Sequence, residues 1–300
     1  MKAAVLHQVG GPLVIEDVEL DDPWPNEVVV RTFGCGVCHS DLHFIDGHYS
    51  VDFPVVLGHE ASGVVESVGS DVSYVQPGDH VIACMSVFCG ECNYCSSDRP
   101  YLCMNPSVRR NENDTSRIRF NGERITQLYE LGAFAEKMLV HESALVKIRK
   151  DMPLDQAALI GCAVTTGFGA VMNTANASSG ATVAVVGCGG VGLSAINGSS
   201  IIGASKIIAI DVSEEKLDLA RQIGATHTVN AAVSNPVEAV LEMSNGGVEF
   251  SFEALGKKET AEQCFEMLCP GGVATVIGMI TEGQKVEVTG SELLSEKTLQ

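Results

Sequence analysis

The sequence predicts an α/β chain of two domains: a β-rich first half, then a doubly wound parallel sheet. Three observations lead there. At 300 residues the chain exceeds the usual size of one hydrophobic core, so two are expected. The first half carries short apolar runs ended by turn residues. The second half alternates such runs with helical periods.

In the first half VVVRTFGCGVC, ASGVVESVG, DHVIAC and FAEKMLVHE read as strands, and the β-rich domain is assigned to residues 1–163. The most polar and least periodic stretch, PSVRRNENDTSRIRFNGERITQ (106–127), reads as a solvated surface loop or hairpin. Near Gly161 the texture changes. LDQAALIGCAVTTGFGAVMNTA has helical spacing, ATVAVVG is a buried strand, and VGLSAINGSSIIGA opens a helix. KIIAID is again a strand and SEEKLDLARQIGA an amphipathic helix. The alternation continues through HTVNA, PVEAVLEMSN, VEFSFEAL, KETAEQCFEMLCP and GVATVIGM. This is the βαβ rhythm of a parallel sheet, assigned to residues 164–300.

A net charge of −19 and a pI near 4.7 repel phosphate backbones, so nucleic acid is not an expected partner. No apolar run reaches the length needed to cross a bilayer, so no membrane partner is expected either. MKAAVLHQVGGPLVIEDVEL lacks the pattern of a secretory signal, and the expected location is the cytoplasm. Eleven cysteines in a reducing compartment suggest metal binding rather than disulfides.

VAVVGCGGVG places Gly187, Gly189 and Gly192 as G-x-G-x-x-G between a predicted strand and helix. Gly187 makes the tight turn, Gly189 lets a pyrophosphate approach the backbone, and Gly192 allows close helix–strand packing. Asp211, nineteen residues past Gly192, ends the next strand. A carboxylate there accepts ribose hydroxyls and repels a 2′-phosphate, which predicts NAD rather than NADP. Asp211 also reads as a helix N-cap, and both roles are compatible.

Two kinds of metal site are indicated. CGECNYCSSDRPYLC holds Cys89, Cys92, Cys95 and Cys103 as C-x2-C-x2-C-x7-C. Four thiolates close the shell of a zinc ion and leave no place for substrate, although a [4Fe–4S] cluster uses four cysteines too. The lobe (89–103) has almost no apolar residues, so a metal is needed to order it. A reactive zinc instead needs three protein ligands and an open position. Cys38 in GVCHSD, His59 in LGHE and Cys162 in IGCAVTTG are candidates. On spacing alone each reads equally as a small buried residue or a turn histidine.

GVCHSD, GHE, the four-cysteine lobe, GC-x3-TG and VVGCGGVG, in this order along the chain, resemble the zinc-dependent medium-chain alcohol dehydrogenases. The resemblance implies a GroES-like catalytic domain followed by a Rossmann domain. It implies two zinc ions per chain: a catalytic one on Cys38, His59 and Cys162, and a structural one on the lobe cysteines. Position by position it implies further roles. Asp41 orients the zinc-bound histidine. Glu60 lies close behind the metal. Ser40 takes the proton of the substrate alcohol, and His43 ends that relay toward solvent. His39 contacts the cofactor pyrophosphate, Thr166 and Val191 pack around the nicotinamide, Gly190 lies in the phosphate turn, and Lys216 reaches the adenosine ribose. On residues alone, His43 also reads as a surface histidine and Lys216 as a helix ion-pair partner. The remaining histidines (His7, His48, His80, His141, His227) match no role, nor do Cys35, Cys84, Cys188, Cys264 and Cys269.

The implied reaction transfers hydride between a primary aliphatic or aromatic alcohol, or its aldehyde, and NAD. A glutathione-adduct formaldehyde dehydrogenase is disfavoured, since FIDGHYSVDFP is one residue short and Ser107 replaces an arginine. A mycothiol-type adduct enzyme stays open. Similar proteins continue past ELLSEKTLQ, so the chain is read as lacking the usual C-terminal segment, and an inactive zinc- and NAD-binding fragment is an alternative. The family implies a dimer or tetramer.

Overall fold

The computed structural model describes residues 1–300, which form two compact units, Met1–Cys162 and Ala163–Gln300. The first unit is built on two sheets. Five antiparallel strands run in the order Lys137–His141, Glu27–Gly36, Glu60–Val68, His80–Ala83 and Leu145–Ile148. A second sheet of six runs Val14–Asp17, Lys2–Leu6, Val55–Val56, Glu123–Gln127, Ile118–Phe120 and Glu19–Leu20. In the five-stranded sheet Val28 and Val30 of one strand and Met138 and Val140 of its neighbour send alternate side chains into one core. That core extends to Val87 and Val108, so the chain is anchored on both sides of the cysteine lobe.

The 106–127 segment departs from the sequence expectation. It does form a hairpin, Ile118–Phe120 with Glu123–Gln127, but it is not solvated throughout. The Arg110 and Arg117 side chains are only 3% and 4% exposed. Arg110 donates to Glu27 at 2.5 and 3.0 Å and to Asp21 at 2.5 Å, and lies over the Trp24 ring. Arg117 donates to Glu27 at 2.8 Å and to Glu130 at 2.7 Å. Paired charge is what permits the burial. Burial alone would raise the Glu27 carboxyl, but the two guanidinium groups outweigh it and hold it below the usual range.

Elements of the second unit are numbered from its start. Strands β1 (Thr182–Val186), β2 (Lys206–Asp211), β3 (His227–Asn230), β4 (Val248–Glu253), β5 (Leu268–Val276) and β6 (Thr298–Leu299) form one parallel sheet in the order β3-β2-β1-β4-β5-β6. Helices are α1 (Ala163–Gly169), α2 (Gly190–Ile201), α3 (Glu214–Ile223), α4 (Pro236–Ser244) and α5 (Lys258–Glu266). Val183, Val185, Ile207 and Ala209 pack on one face with Ala195 and Ile196 of α2. Ala184, Val186, Ile208 and Ile210 pack on the other with Val240 of α4 and Phe265 of α5. Burial on both faces explains why β1 and β2 read as continuous apolar runs.

The helical period read over LDQAALIGCAVTTGFGAVMNTA is broken into separate pieces. Leu154–Ala157 and a 3₁₀ turn, Ala158–Gly161, end at Cys162, whose φ of −135° and ψ of −80° leave helical space before α1 begins. No single helix is long and apolar enough to cross a membrane.

Candidate metal centres and dinucleotide turn

The lobe cysteines form a four-sulfur cluster. Cys89–Cys95 is 3.9 Å, Cys92–Cys95 3.5 Å, Cys92–Cys103 3.8 Å and Cys89–Cys103 3.7 Å between sulfurs, and all four thiols are free. Sulfurs held about 2.3 Å from a common centre at tetrahedral corners stand about 3.8 Å apart. The cluster therefore has the dimensions of a single zinc site. A four-iron cluster puts each thiolate on a different iron and spreads the sulfurs further, so the geometry favours zinc over that alternative. The thiols also oppose one another's ionisation. Backbone N–H groups, Glu91 first, bring Cys89 down to about 6, whereas desolvation and the neighbouring thiols push Cys95 up to about 11. A central cation removes that conflict.

The second cluster is assembled by strand pairing. Strand Glu27–Gly36 runs antiparallel to Glu60–Val68, and the pair ends with Gly36 opposite Glu60. Cys38 lies two residues past one end and His59 one residue before the other, so a register set by core valines delivers both donors to one edge. Cys162 arrives from the 3₁₀ turn. A Cβ on Gly161 would stand 2.3 Å from the Ala83 carbonyl oxygen, so only glycine lets the chain lie this close to the strand carrying Ala83. One donor atom each from Cys38, His59 and Cys162 falls within 4.8 Å of the others, and the two sulfurs are 4.0 Å apart.

Asp41, 1% exposed, ties this cluster together. One carboxylate oxygen accepts the Cys38 N–H at 3.1 Å, capping helix His39–Ile45, and the other accepts the Gly58 N–H at 3.0 Å. The second oxygen also stands 3.3 Å from Nδ1 of His59, off the line of a full hydrogen bond, which leaves Nε2 as the nitrogen for a metal. Burial opposes a charge on His59, but Asp41 and Cys38 outweigh it and push the imidazole up to about 9. Cys38, approached by the Cys162 thiol, the His59 ring and the Ser40 hydroxyl at 3.5 Å, is held well below the usual thiol range. Three residues earlier, burial pushes Cys35 up to about 12. The low-lying thiol is the one beside the other donors.

Other predicted residues fall around this cluster. Glu60 is buried, and a Cβ on Gly36 would strike its carboxylate at 2.1 Å. Ser40 is half-buried and His39 exposed. His43 is not a surface histidine: it is 8% exposed, with its Nδ1 atom 3.0 Å from Nδ1 of His48. Two neighbours were not legible in the sequence. One is His48. The other is Tyr129, whose ring meets His59 edge-on at 5.3 Å and whose φ of 54° is unusual for a bulky residue. Burial, followed by the Cys38, Asp41 and Cys162 charges, pushes its phenol up to about 12. Neither residue carried a motif; a left-handed tyrosine has no sequence signature.

In the second unit the glycines behave as the motif requires. Gly187 turns with a φ of +96°, and the Cβ position of Gly189 meets nothing within 4 Å. A Cβ on Gly192 would stand 1.7 Å from the Gly187 carbonyl oxygen, so α2 packs this closely only with glycine there. Gly189 is the N-cap of α2 and supplies no side chain to the first amides, as an anion site demands. Gly167 of α1 packs against the Val191 carbonyl, so Val191 and the half-buried Thr166 belong to adjoining helices; Gly190 is exposed. Asp211 is buried. One carboxylate oxygen accepts the Cys188 N–H at 2.8 Å and the other the Ser213 N–H at 2.9 Å. The N-cap of α3 is Ser213 rather than Asp211. Lys216 is exposed on α3, whose ion pairs run instead from Arg221 to Glu214 and Asp218.

A family model described as the alcohol dehydrogenase GroES-like domain matches residues 24–150, and one described as zinc-binding dehydrogenase matches residues 190–300. Fold and matches together define an oxidoreductase with a GroES-like domain followed by a Rossmann domain. The chain belongs to the zinc-dependent medium-chain alcohol dehydrogenase family. It is 38% identical over 304 residues to alcohol dehydrogenase class-3 of Zea mays, covering 98% of this chain and 80% of that one. It is 39% identical over 307 residues to S-(hydroxymethyl)glutathione dehydrogenase of Saccharomyces cerevisiae, covering 98% and 79%. Its fold matches benzyl alcohol dehydrogenase of Acinetobacter calcoaceticus with a TM-score of 0.92 at 33% identity, covering 99% and 82%.

Proposed function

We propose that the protein oxidises a primary aliphatic or aromatic alcohol to its aldehyde with NAD, and runs the reverse reduction. The observation that carries this reading is the convergence of Cys38, His59 and Cys162. Three protein donors leave a tetrahedral ion one open position, whereas the four-sulfur lobe leaves none. Zinc bound by the three supplies Lewis acidity toward the substrate oxygen.

The remaining steps belong to the protein's own residues. Asp41 fixes the ring of His59 and the start of the helix that carries Ser40 and His43. Ser40 accepts the hydroxyl proton, and His43, on the same helix, hands it on toward solvent. His39, Thr166, Val191 and Lys216 are the residues that would hold the cofactor. The turn at Gly187–Gly192 would hold the pyrophosphate and Asp211 the adenosine ribose. Bound NAD would supply the hydride acceptor, so that alcohol and NAD⁺ would yield aldehyde, NADH and one proton. A reducing cytoplasm, where thiolates stay available to metal, is the compartment this reading expects.

Metal analysis of the chain and its Cys38→Ser variant, with NAD-linked turnover across an alcohol panel, tests this. Two zinc ions should fall to one and turnover should drop about 10³-fold or more, as expected when a Lewis acid is lost. An unchanged zinc count sinks the assignment of Cys38. A hydroxymethylglutathione adduct is the second reading, favoured by the Saccharomyces cerevisiae relative. Turnover of such adducts alone would establish it in place of the first.

A further inference from the structure

His48 matches no family role, yet the fold sets it against His43. The His48 N–H donates to the His43 carbonyl oxygen at 2.8 Å, closing a turn that brings the two rings together. Their Nδ1 atoms are 3.0 Å apart and their centroids 5.3 Å. At that distance one Nδ1 donates and the other accepts, so a single proton lies between two imidazoles. The two rings differ in access. His43 is 8% exposed, whereas His48 is an exposed residue. The other groups facing His43 are the His39 ring, edge-on at 5.2 Å, the Tyr49 ring at 5.9 Å, and the charges of Asp46 and Cys38. Burial, then His39 and His48, hold His43 below the ordinary imidazole range, so it favours handing a proton on over keeping it.

We propose that His48 is the outer half of a two-imidazole proton carrier that joins His43 to bulk solvent. The proposal rests on the reading of His43 as the inner proton acceptor. A proton reaching Nε2 of His43 moves the Nδ1 proton of that ring onto Nδ1 of His48. The Nε2 proton of His48 then leaves to water. One N–H bond forms and one breaks on each ring, so the pair ends uncharged, and proton exchange with water at each ring, one proton taken up and one released, restores the starting tautomers. His48 touches neither substrate nor cofactor in this scheme; it is a positioning and relay residue.

The test compares the zinc-loaded full chain with its His48→Gln and His43→Gln variants, using benzyl alcohol and NAD in dilute buffer. In H48Q kcat should fall about tenfold, less than the ~10²–10⁴ of a direct acid–base group, with KM and zinc content unchanged. Added imidazole should restore it, and the kcat–pH profile should move. A wild-type profile in H48Q, with H43Q impaired, overturns the role of His48. A wild-type profile in H43Q overturns the reading beneath it. A second readout needs no turnover: ¹⁵N NMR of the histidine rings should show coupling between the two Nδ1 nuclei and a His43 titration that shifts in H48Q. Absence of both also overturns the proposal.

Discussion

In the lobe, four sulfurs come from fifteen consecutive residues, most of them exposed. Around His59, three donors come from positions 38, 59 and 162, and their support is buried: His59 and Asp41 are each 1% exposed. The lobe holds together from its two ends, through Val87 and Val108, and has little core of its own. The His59 cluster is set by strand register, a glycine contact and one carboxylate. Where the ligands are local the metal shapes the chain, and where they are distant the chain shapes the metal site.

The strongest way to break this contrast is Cys92→Ser. Structural zinc binding is worth ~10–16 kcal/mol in small peptides, comparable to the whole stability of a domain. The variant should melt at least about 10 °C lower, on a scale of ~2–4 °C per kcal/mol, and be cut by protease within 89–103. A wild-type melting curve with one zinc missing would show that the lobe shapes itself. Asp41→Asn should have an intermediate effect, confined to the other site. Chelator competition should find zinc there bound ~10–100-fold more weakly, with the lobe zinc unchanged. Equal loosening of both ions would mean that Asp41 acts on the fold rather than on His59.

The smallest effect concerns acid. The Glu27 carboxyl lies lower in the folded chain than its ordinary value of 4.5. Its contribution to stability is therefore full above that value and is lost as pH falls through it toward the folded value. Glu27→Gln should flatten the pH dependence of unfolding below about pH 5, as measured by urea titration. A slope as steep as that of the wild type would place the acid-sensitive groups elsewhere.

How much of this the sequence revealed followed the range of the forces involved. The four-cysteine spacing, the glycine turn and the alternating strands and helices were legible because each is a local pattern. The β-rich and doubly wound folds followed from them. Cys38, His59 and Cys162 stood out only through the family motifs, because what unites them is the pairing of Gly36 with Glu60. Arg110 and Arg117 read as solvated in the sequence because charge alone cannot show that Glu27, more than eighty residues earlier, receives them. His48 carries no motif for a similar reason: its place beside His43 depends on the direction of its ring.

Asp211 has a consequence for anyone redesigning cofactor choice. Its two oxygens each receive a backbone N–H, one from Cys188 in the glycine turn and one from Ser213 at the start of α3. Asparagine offers one acceptor oxygen and would aim an NH₂ at the other amide, and serine offers a single oxygen on a shorter reach. Removing the charge to admit a phosphorylated nucleotide would therefore also unpin the turn at Cys188 and the start of α3. A successful redesign has to re-anchor Cys188 and Ser213 before it alters the electrostatics.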